Sequence, residues 1–245
     1  MTSTVVESAE RFTSRGGSHR IRNLLVLLAV LVLAGVAVWL VWFSSVLTVS
    51  QVRVLGATTV PEAQVRAAID VPLGTPLARV DAEGIVARVG AIPAIGAVEV
   101  RRGWPNLLVV VVTERTPLAV VADGTRFAYV DATGARFGSA AARGRFPVVR
   151  ASGPTALVSA LGVLSSLPDA DRATVVRVSA RTRDDVVLQL ATGSSVQWGG
   201  PQDAERKLAV LHALLPRRAR LYDVSAPDLP TTQGTLPPVA SSPSS

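Results

Sequence analysis

Residues that could carry out catalysis are scarce in this chain of 245 residues. It has no cysteine, and His212 is the only histidine after residue 43, so a Ser-His-Asp triad would need it, yet no Gly-x-Ser-x-Gly elbow is present. The zinc motif His-Glu-x-x-His is absent, and Lys207 follows Arg206 rather than glycine, which excludes a Walker-type phosphate loop. A glycosidase built on two carboxylates distant in sequence stays open. The sequence therefore predicts a protein that is not an enzyme and that uses no cofactor, no metal and no small-molecule substrate.

Asp131 is the acidic residue to which a metal or catalytic role could be given. It opens the sequence Asp-Ala-Thr-Gly, which ends at Gly134 between two short apolar segments, 127–130 and 135–137. An aspartate that begins a turn can accept hydrogen bonds from the backbone two residues on, and glycine tolerates the positive φ that a hairpin needs. We therefore predict a structural role for Asp131 in a hairpin turn.

The charge of the chain is strongly basic, with 25 Lys plus Arg against 18 Asp plus Glu and a pI near 11.2. The arginines are scattered singly, Lys207 is the only lysine, and no basic run carries interleaved aromatic residues for base stacking. This pattern argues against a nucleic-acid partner. Attraction to anionic lipid or to an acidic wall polymer is the functional alternative to a simply solvated surface.

Residues 24–43 form an uncharged run of 20 residues, long enough for a helix to cross the hydrocarbon core of a bilayer. The run predicts a single N-terminal transmembrane helix, with a cleaved signal peptide as the alternative. Arg20 and Arg22 precede the run and Arg53 is the first basic residue after it, so the N-terminus is expected in the cytoplasm and the rest outside. Trp39 and Trp42 are expected at the outer headgroup layer, opposite Arg20 and Arg22.

The remainder predicts two small α+β units. Residues 1–23 read as a disordered cytoplasmic tail, and 46–117 as a βααββ domain in which Thr59 and Glu62 form a capping box and Asp81 caps the second helix. Residues 118–226 read as a mixed or antiparallel β domain with two flanking helices, 155–167 and 202–215, and a last strand over 220–226. Residues 227–245 are rich in Pro, Thr and Ser and are predicted to be disordered.

A family resemblance follows from motifs in the first unit and, more loosely, from the Asp131 hairpin, the helix of Lys207 and the ending Tyr222-Asp-Val-Ser225 in the second. In the first unit the motifs are Val52-Arg-Val-Leu-Gly56, Pro76-Leu77, Val80-Asp81, Ile92-Pro93, Val98-Glu-Val-Arg-Arg-Gly-Trp-Pro-Asn106 and Thr113-Glu-Arg-Thr-Pro117. This series resembles the POTRA domain of the FtsQ/DivIB family of bacterial cell-division proteins, and the second unit is similar to the β domain that follows it.

The resemblance implies a single-pass (type II) plasma-membrane scaffold of the divisome at the division septum, acting through protein–protein contacts. Its implied partners are short bitopic coiled-coil proteins of the FtsB/FtsL type, together with septal peptidoglycan synthesis proteins and membrane lipid. A strand at the end of the fold can bind another chain by strand addition, which points to Leu221, Tyr222, Val224 and Ala226 as contacts. The alternatives are a POTRA-containing polypeptide-transport component and a membrane-anchored wall hydrolase.

Overall fold

The computed structural model describes residues 18–43 and 47–236. Helix α1 covers Ser18–Phe43, and large apolar side chains along it, such as Leu24 and Leu28, are more than half exposed. Within the part of the chain that is described, no helix is both long and apolar enough to span a membrane. The membrane anchor over 24–43 is thus not confirmed, and most of the predicted cytoplasmic tail lies outside the described residues.

The first folded unit has the predicted βααββ order. It consists of β1 (Gln51–Leu55), α2 (Glu62–Ile69), a 3-10 turn (Leu77–Arg79), α3 (Ala82–Gly90), β2 (Ile95–Gly103) and β3 (Leu107–Glu114). Strand β3 lies in the centre of a three-stranded sheet, parallel to β1 and antiparallel to β2. The alternating residues Leu108, Val110 and Val112 of β3 are buried against Val65 and Ile85 of the two helices, as a strand period of two requires.

One of the two predicted helix caps is confirmed and the other is wrong. The Asp81 carboxylate accepts a hydrogen bond from the Gly84 amide at 2.9 Å, as predicted. Helix α2 has no side-chain cap, and Glu62 instead pairs with Arg66 one turn along at 2.6 Å. The amides that precede α2 are bonded by a residue distant in sequence, Glu114, which a search for local capping signals does not find.

The second unit is built on a nine-stranded mixed sheet. Its strands are β4 (Ala119–Asp123), β5 (Arg126–Val130), β6 (Arg136–Ala140), β7 (Val148–Ala151), β8 (Val175–Ala180), β9 (Val186–Leu190), β10 (Ser195–Gly199), β11 (Ala219–Asp223) and β12 (Thr231–Thr235). Its helices are α4 (Pro154–Ser166), α5 (Asp169–Thr174) and α6 (Ala204–Leu214). The strand order across the sheet is β12-β11-β10-β9-β8-β7-β4-β5-β6, so β6 and β12 are its two edges.

The core of this unit lies between the sheet and α4, which contacts β7, β8, β9 and α6. Trp198 and Tyr222 are its largest fully buried side chains, joined by Leu161 and Leu164 of α4. The two flanking helices predicted from apolar spacing are α4 and α6, whereas β7 and α5 were not predicted. The prediction of a disordered segment from residue 227 is wrong for Thr231–Thr235, which form β12; residues 237–245 lie outside the described part.

Candidate protein-interaction site

The predicted contact residues lie on or just after β11, and their exposure differs. Tyr222 and Val224 are 1% and 0% exposed, Leu221 is half-buried, and Ala226 is exposed beyond the end of the strand. The Tyr222 hydroxyl accepts a hydrogen bond from the Ala219 amide at 2.9 Å and donates to the Leu215 carbonyl at 3.3 Å. Tyr222 and Val224 are therefore core residues that hold β11 in place.

The prediction that β11 has a free edge is wrong. It pairs with β10 in parallel on one side and with β12 in antiparallel on the other. The physical reason is that an unpaired row of amides and carbonyls favours another strand, and the polar segment after residue 230 supplies that strand. The free edge at this end of the sheet belongs to β12.

The direction of the main-chain groups of β12 follows from its neighbours. The Val224 amide donates to the Gln197 carbonyl of β10 at 3.0 Å. Because successive residues of a strand direct their main-chain groups to opposite edges, Leu221 and Asp223 face β12, where their register partners are Gln233 and Thr231. The intervening Thr232 therefore directs its N–H and C=O away from the sheet, toward the free side.

The segment that leads into β12 is held by polar contacts. Asp223 accepts hydrogen bonds from the amide and the hydroxyl of Ser225, at 3.0 and 2.6 Å, and the exposed Asp228 pairs with Arg206 of α6. Leu229, between that pair and β12, is 81% exposed. At the other end of β12 the Arg220 guanidinium donates to the Thr235 carbonyl at 3.1 Å. Both ends of the edge strand are thus attached to the rest of the domain.

The residues predicted at the membrane interface all lie on α1. Arg22 and Trp39 are exposed, Trp39 by 60%, and the side chains of Arg20 and Trp42 are outside the described part. They are remote in sequence from the β12 edge.

The junction between the two units contains the motif Thr113-Glu-Arg-Thr-Pro117. The Glu114 carboxylate accepts hydrogen bonds from the amides of Thr58, Thr59 and Val60, at 2.7 to 2.8 Å for its nearer oxygen. The Val60 amide is the largest cause that lowers the pKa of Glu114, and with the Thr58 and Thr59 groups it outweighs burial and brings that pKa to about 2. Glu114 thus joins β3 to the segment before α2.

Arg115 connects the two units directly. Its Nε donates to the Pro93 carbonyl of the first unit at 3.1 Å, and its terminal nitrogen donates to Asp131 Oδ2 of the second unit at 2.6 Å. Asp131 Oδ1 accepts from the Thr133 amide and hydroxyl and from the Ala135 amide. Burial alone would raise the pKa of Asp131, but these bonds together lower it. The predicted turn role of Asp131 is seen here, and its second oxygen binds Arg115.

Lys207 and His212, the residues considered above for a phosphate loop and a catalytic triad, both make structural contacts. Lys207 is 3% exposed and its Nζ donates to the Gly200 carbonyl at 2.9 Å; burial lowers the pKa of Lys207, although Asp203 and Asp184 oppose this. His212 lies 2.7 Å from Asp171 and joins α6 to α5. Over residues 18–43 and 47–236 there is no group of three His, Asp or Glu side chains able to hold a metal ion.

Comparison with known proteins agrees with this two-unit architecture. Residues 47–115 match the FtsQ-type POTRA domain, and residues 119–229 match the C-terminal domain of cell division protein FtsQ/DivIB. These two matches define a bacterial cell-division protein with a POTRA domain followed by the FtsQ-type β domain.

Individual relatives extend the similarity over most of the chain. It is 38% identical to cell division protein FtsQ of Streptomyces collinus, over 89% of this chain and 90% of that protein. It is 33% identical to FtsQ of Mycolicibacterium smegmatis, over 88% of this chain and 67% of that protein. The chain belongs to the FtsQ/DivIB family of cell-division proteins. Among solved structures, the extracytoplasmic domain of DivIB from Geobacillus stearothermophilus is 22% identical, covering 38% of this chain and 85% of that one, with a TM-score of 0.33.

Proposed function

We propose that this protein is a scaffold of the division machinery that binds a partner by strand addition to the free edge of β12. The observation that supports it most directly is the position of β12 at the end of the nine-stranded sheet, with the main-chain groups of Thr232 directed outward. An extended segment of another chain gains main-chain hydrogen bonds at such an edge, and its alternate side chains decide its identity. Short bitopic proteins of the FtsB/FtsL type are the proposed partners.

The side chains of β12 favour this role. Its sequence, Thr-Thr-Gln-Gly-Thr, contains no charged residue and no proline, which are two of the devices by which edge strands prevent pairing. Thr231, Thr232 and Gln233 keep one register with β11, whereas Gly234, at φ +65°, has no register partner. The exposed Leu229 adds an apolar contact next to the edge. A partner that pairs with β12 would thus meet a main-chain template over residues 231–233, with one apolar side chain beside it.

Membrane attachment is a separate part of the proposal, and its support is the uncharged sequence of residues 24–43 with arginines before it. The folded units would then lie outside the cytoplasm, at the septum. A reporter enzyme active only outside the cytoplasm, fused after residue 236, should be active in the wild-type chain and inactive when residues 24–43 are deleted. Activity of a cytoplasm-restricted reporter at the same position would contradict the anchor.

The substitution Thr232→Pro tests strand addition. Proline removes the outward N–H and places its ring at the free edge, while the bonds that Thr231 and Gln233 make to β11 are retained. We expect at least a tenfold loss in the amount of FtsB/FtsL-type partner that co-purifies with the full chain from membranes, and failure to support division in a strain that depends on this protein.

Thr232→Ala is the matched control, since it removes the side chain and keeps the N–H. It should bind the partner and support division as the wild type does. Urea unfolding of both variants should show stability close to that of the wild type. Normal partner recovery with Thr232→Pro would contradict strand addition at this edge.

A further inference from the structure

A cleft of about 790 Å³ lies on the β domain, well separated in the strand order from β12. It is formed where three adjacent parallel strands, β4, β7 and β8, begin, and Leu118, Pro147 and Val175 at those strand starts line it. The loop before β7 forms one wall and α5 forms another. The cleft also borders the junction, because Thr116 and Pro117 line it.

The charge of the cleft is positive. Its lining contains the guanidinium groups of Arg143, Arg145 and Arg172 and a single carboxylate, Asp169. That carboxylate is 95% exposed and already pairs with Arg172. Arg143 and Arg145 form no ion pair within the described residues, so their charge is available to an acidic ligand.

Arg143 and Arg145, the two arginines without an ion pair in the described part, are held in position by contacts within their own loop. Arg143 donates to the Phe146 carbonyl at 3.3 Å, and the Arg145 guanidinium lies 5.5 Å from the centre of the Phe146 ring, a favourable cation–π distance. Phe146 in turn packs edge-on against Tyr129 at 5.6 Å. Each guanidinium keeps further N–H donors for a carboxylate, and less conformational entropy is lost on binding because the loop is already ordered.

We propose that this cleft binds an extended acidic segment of a partner protein, in which carboxylate side chains alternate with apolar ones. Carboxylates would pair with Arg143 and Arg145, and the apolar side chains would lie on the half-buried Leu118 and Val176. A uniformly charged polymer would match only the arginine wall, since the floor is apolar. The strands at the floor are already paired, so recognition here relies on side chains and differs in kind from strand addition at β12.

The test measures binding of a fluorescein-labelled octapeptide of alternating Glu and Leu to the full chain in neutral detergent, by anisotropy. The double variant Arg143→Glu, Arg145→Glu should weaken binding at least tenfold, because two attractive contacts become repulsive. The matched control is Arg126→Glu, Arg150→Glu, which changes the net charge equally at two exposed positions outside the cleft and should change affinity less than threefold. Thr232→Pro should bind the peptide normally, which separates this site from the proposed partner edge.

A second measurement locates the peptide. The chain has no cysteine, so Ala173→Cys places a single thiol on the exposed face of α5 at the cleft, and a photo-crosslinker attached there should capture the Glu-Leu peptide. Equal weakening by the control pair, equal binding of a Lys-Leu peptide, or absence of peptide binding would overturn the proposal. So would arginine-dependent binding to phosphatidylglycerol vesicles without peptide binding, which would identify a membrane surface instead.

Discussion

The two edges of the nine-stranded sheet, β6 and β12, are built differently. Strand β6 begins with the exposed Arg136 and loses register with β5 between Phe127 and Tyr129. Strand β12 carries no charge, and all of its residues except Gly234, which has no partner, share one register with β11. A charged residue and a register shift both discourage a second chain from pairing with an edge. Of these two edges, β12 is the one without a charged side chain, which is why it is the edge proposed for partner binding.

The segments that lead into the two edge strands also differ, in the burial of their aspartates. Asp131, before β6, is 7% exposed and its two oxygens accept hydrogen bonds from the turn and from Arg115. Asp228, before β12, has a side chain that is 70% exposed and pairs with Arg206, itself 61% exposed. The β6 edge is therefore fixed by buried polar contacts, whereas the β12 edge is attached at the surface. A surface attachment allows an edge to adjust when a partner binds.

The largest expected difference between the two edges is in how much Asp131 and Asp228 contribute to the free energy of unfolding. Asp131→Asn should lower the free energy of unfolding by about 2–4 kcal/mol, because it leaves the partly buried Arg115 without a carboxylate and removes one acceptor from the turn. Asp228→Asn should cost less than about 0.5 kcal/mol, as is usual for an exposed pair. Urea unfolding of the full chain measures both. Equal costs would show that the β6 turn is no better fixed than the β12 turn.

The pH dependence of stability tests whether the negative charge of Asp131 is the cause of this stabilisation. Its pKa is lowered in the folded protein from the usual 3.8, so the unfolded chain takes up the proton first as pH falls. The stabilisation is complete well above pH 3.8 and is lost as pH falls below it through the lowered folded pKa. The difference in stability between wild type and Asp131→Asn should therefore be constant near neutral pH and shrink below about pH 4. If the stability difference between wild type and Asp131→Asn persisted at pH 2–3, the hydrogen-bond geometry of the turn, and not the charge of Asp131, would be its cause.

The β6 side of the sheet was predictable from the sequence and the β12 side was not. The Asp131 hairpin has a local signal, an aspartate opening a turn that ends in glycine, and the first unit was found because Val65, Ile85 and Val89 carry clear periodicity. Strand β12 has no such signal, since its residues bury almost no apolar surface and its order depends on hydrogen bonds from β11. Composition then predicts a disordered tail, and the wrong strand is taken as the edge.

The same limit applies to contacts between residues distant in sequence. Glu114 caps the segment before α2 from the far end of β3, and Arg115 reaches Asp131 across the junction. Both residues were recognised as part of a family motif, but their partners could be identified only from the folded chain. Single-sequence patterns describe neighbours within a few positions, so the interaction edge and the junction, which depend on distant pairs, were the parts that they missed.

A smaller expected difference concerns the chain's two tyrosines, which lie on the strands next to the two edges. Tyr222 on β11 is buried, and its hydroxyl bonds both Ala219 and Leu215. Tyr129 on β5 is half-buried and packs on Phe137 and Phe146, with no hydroxyl hydrogen bond within the described residues. Tyr222→Phe should therefore cost about 1–3 kcal/mol, because it leaves the buried Ala219 amide unpaired, and Tyr129→Phe should stay within about 0.5 kcal/mol.

Partner binding separates the two tyrosines further. Ala219 pairs with Thr235 of β12, so loosening the start of β11 in Tyr222→Phe should also weaken the β12 template and reduce partner co-purification, while Tyr129→Phe leaves it unchanged. Hydrogen exchange of the β12 amides is the direct readout, and it should speed up only in Tyr222→Phe. Faster exchange at β6 instead, or unchanged exchange at both edges, would show that the Tyr222 hydroxyl does not hold the interaction edge. In that case the apolar packing of its ring, rather than its hydrogen bonds, fixes β11.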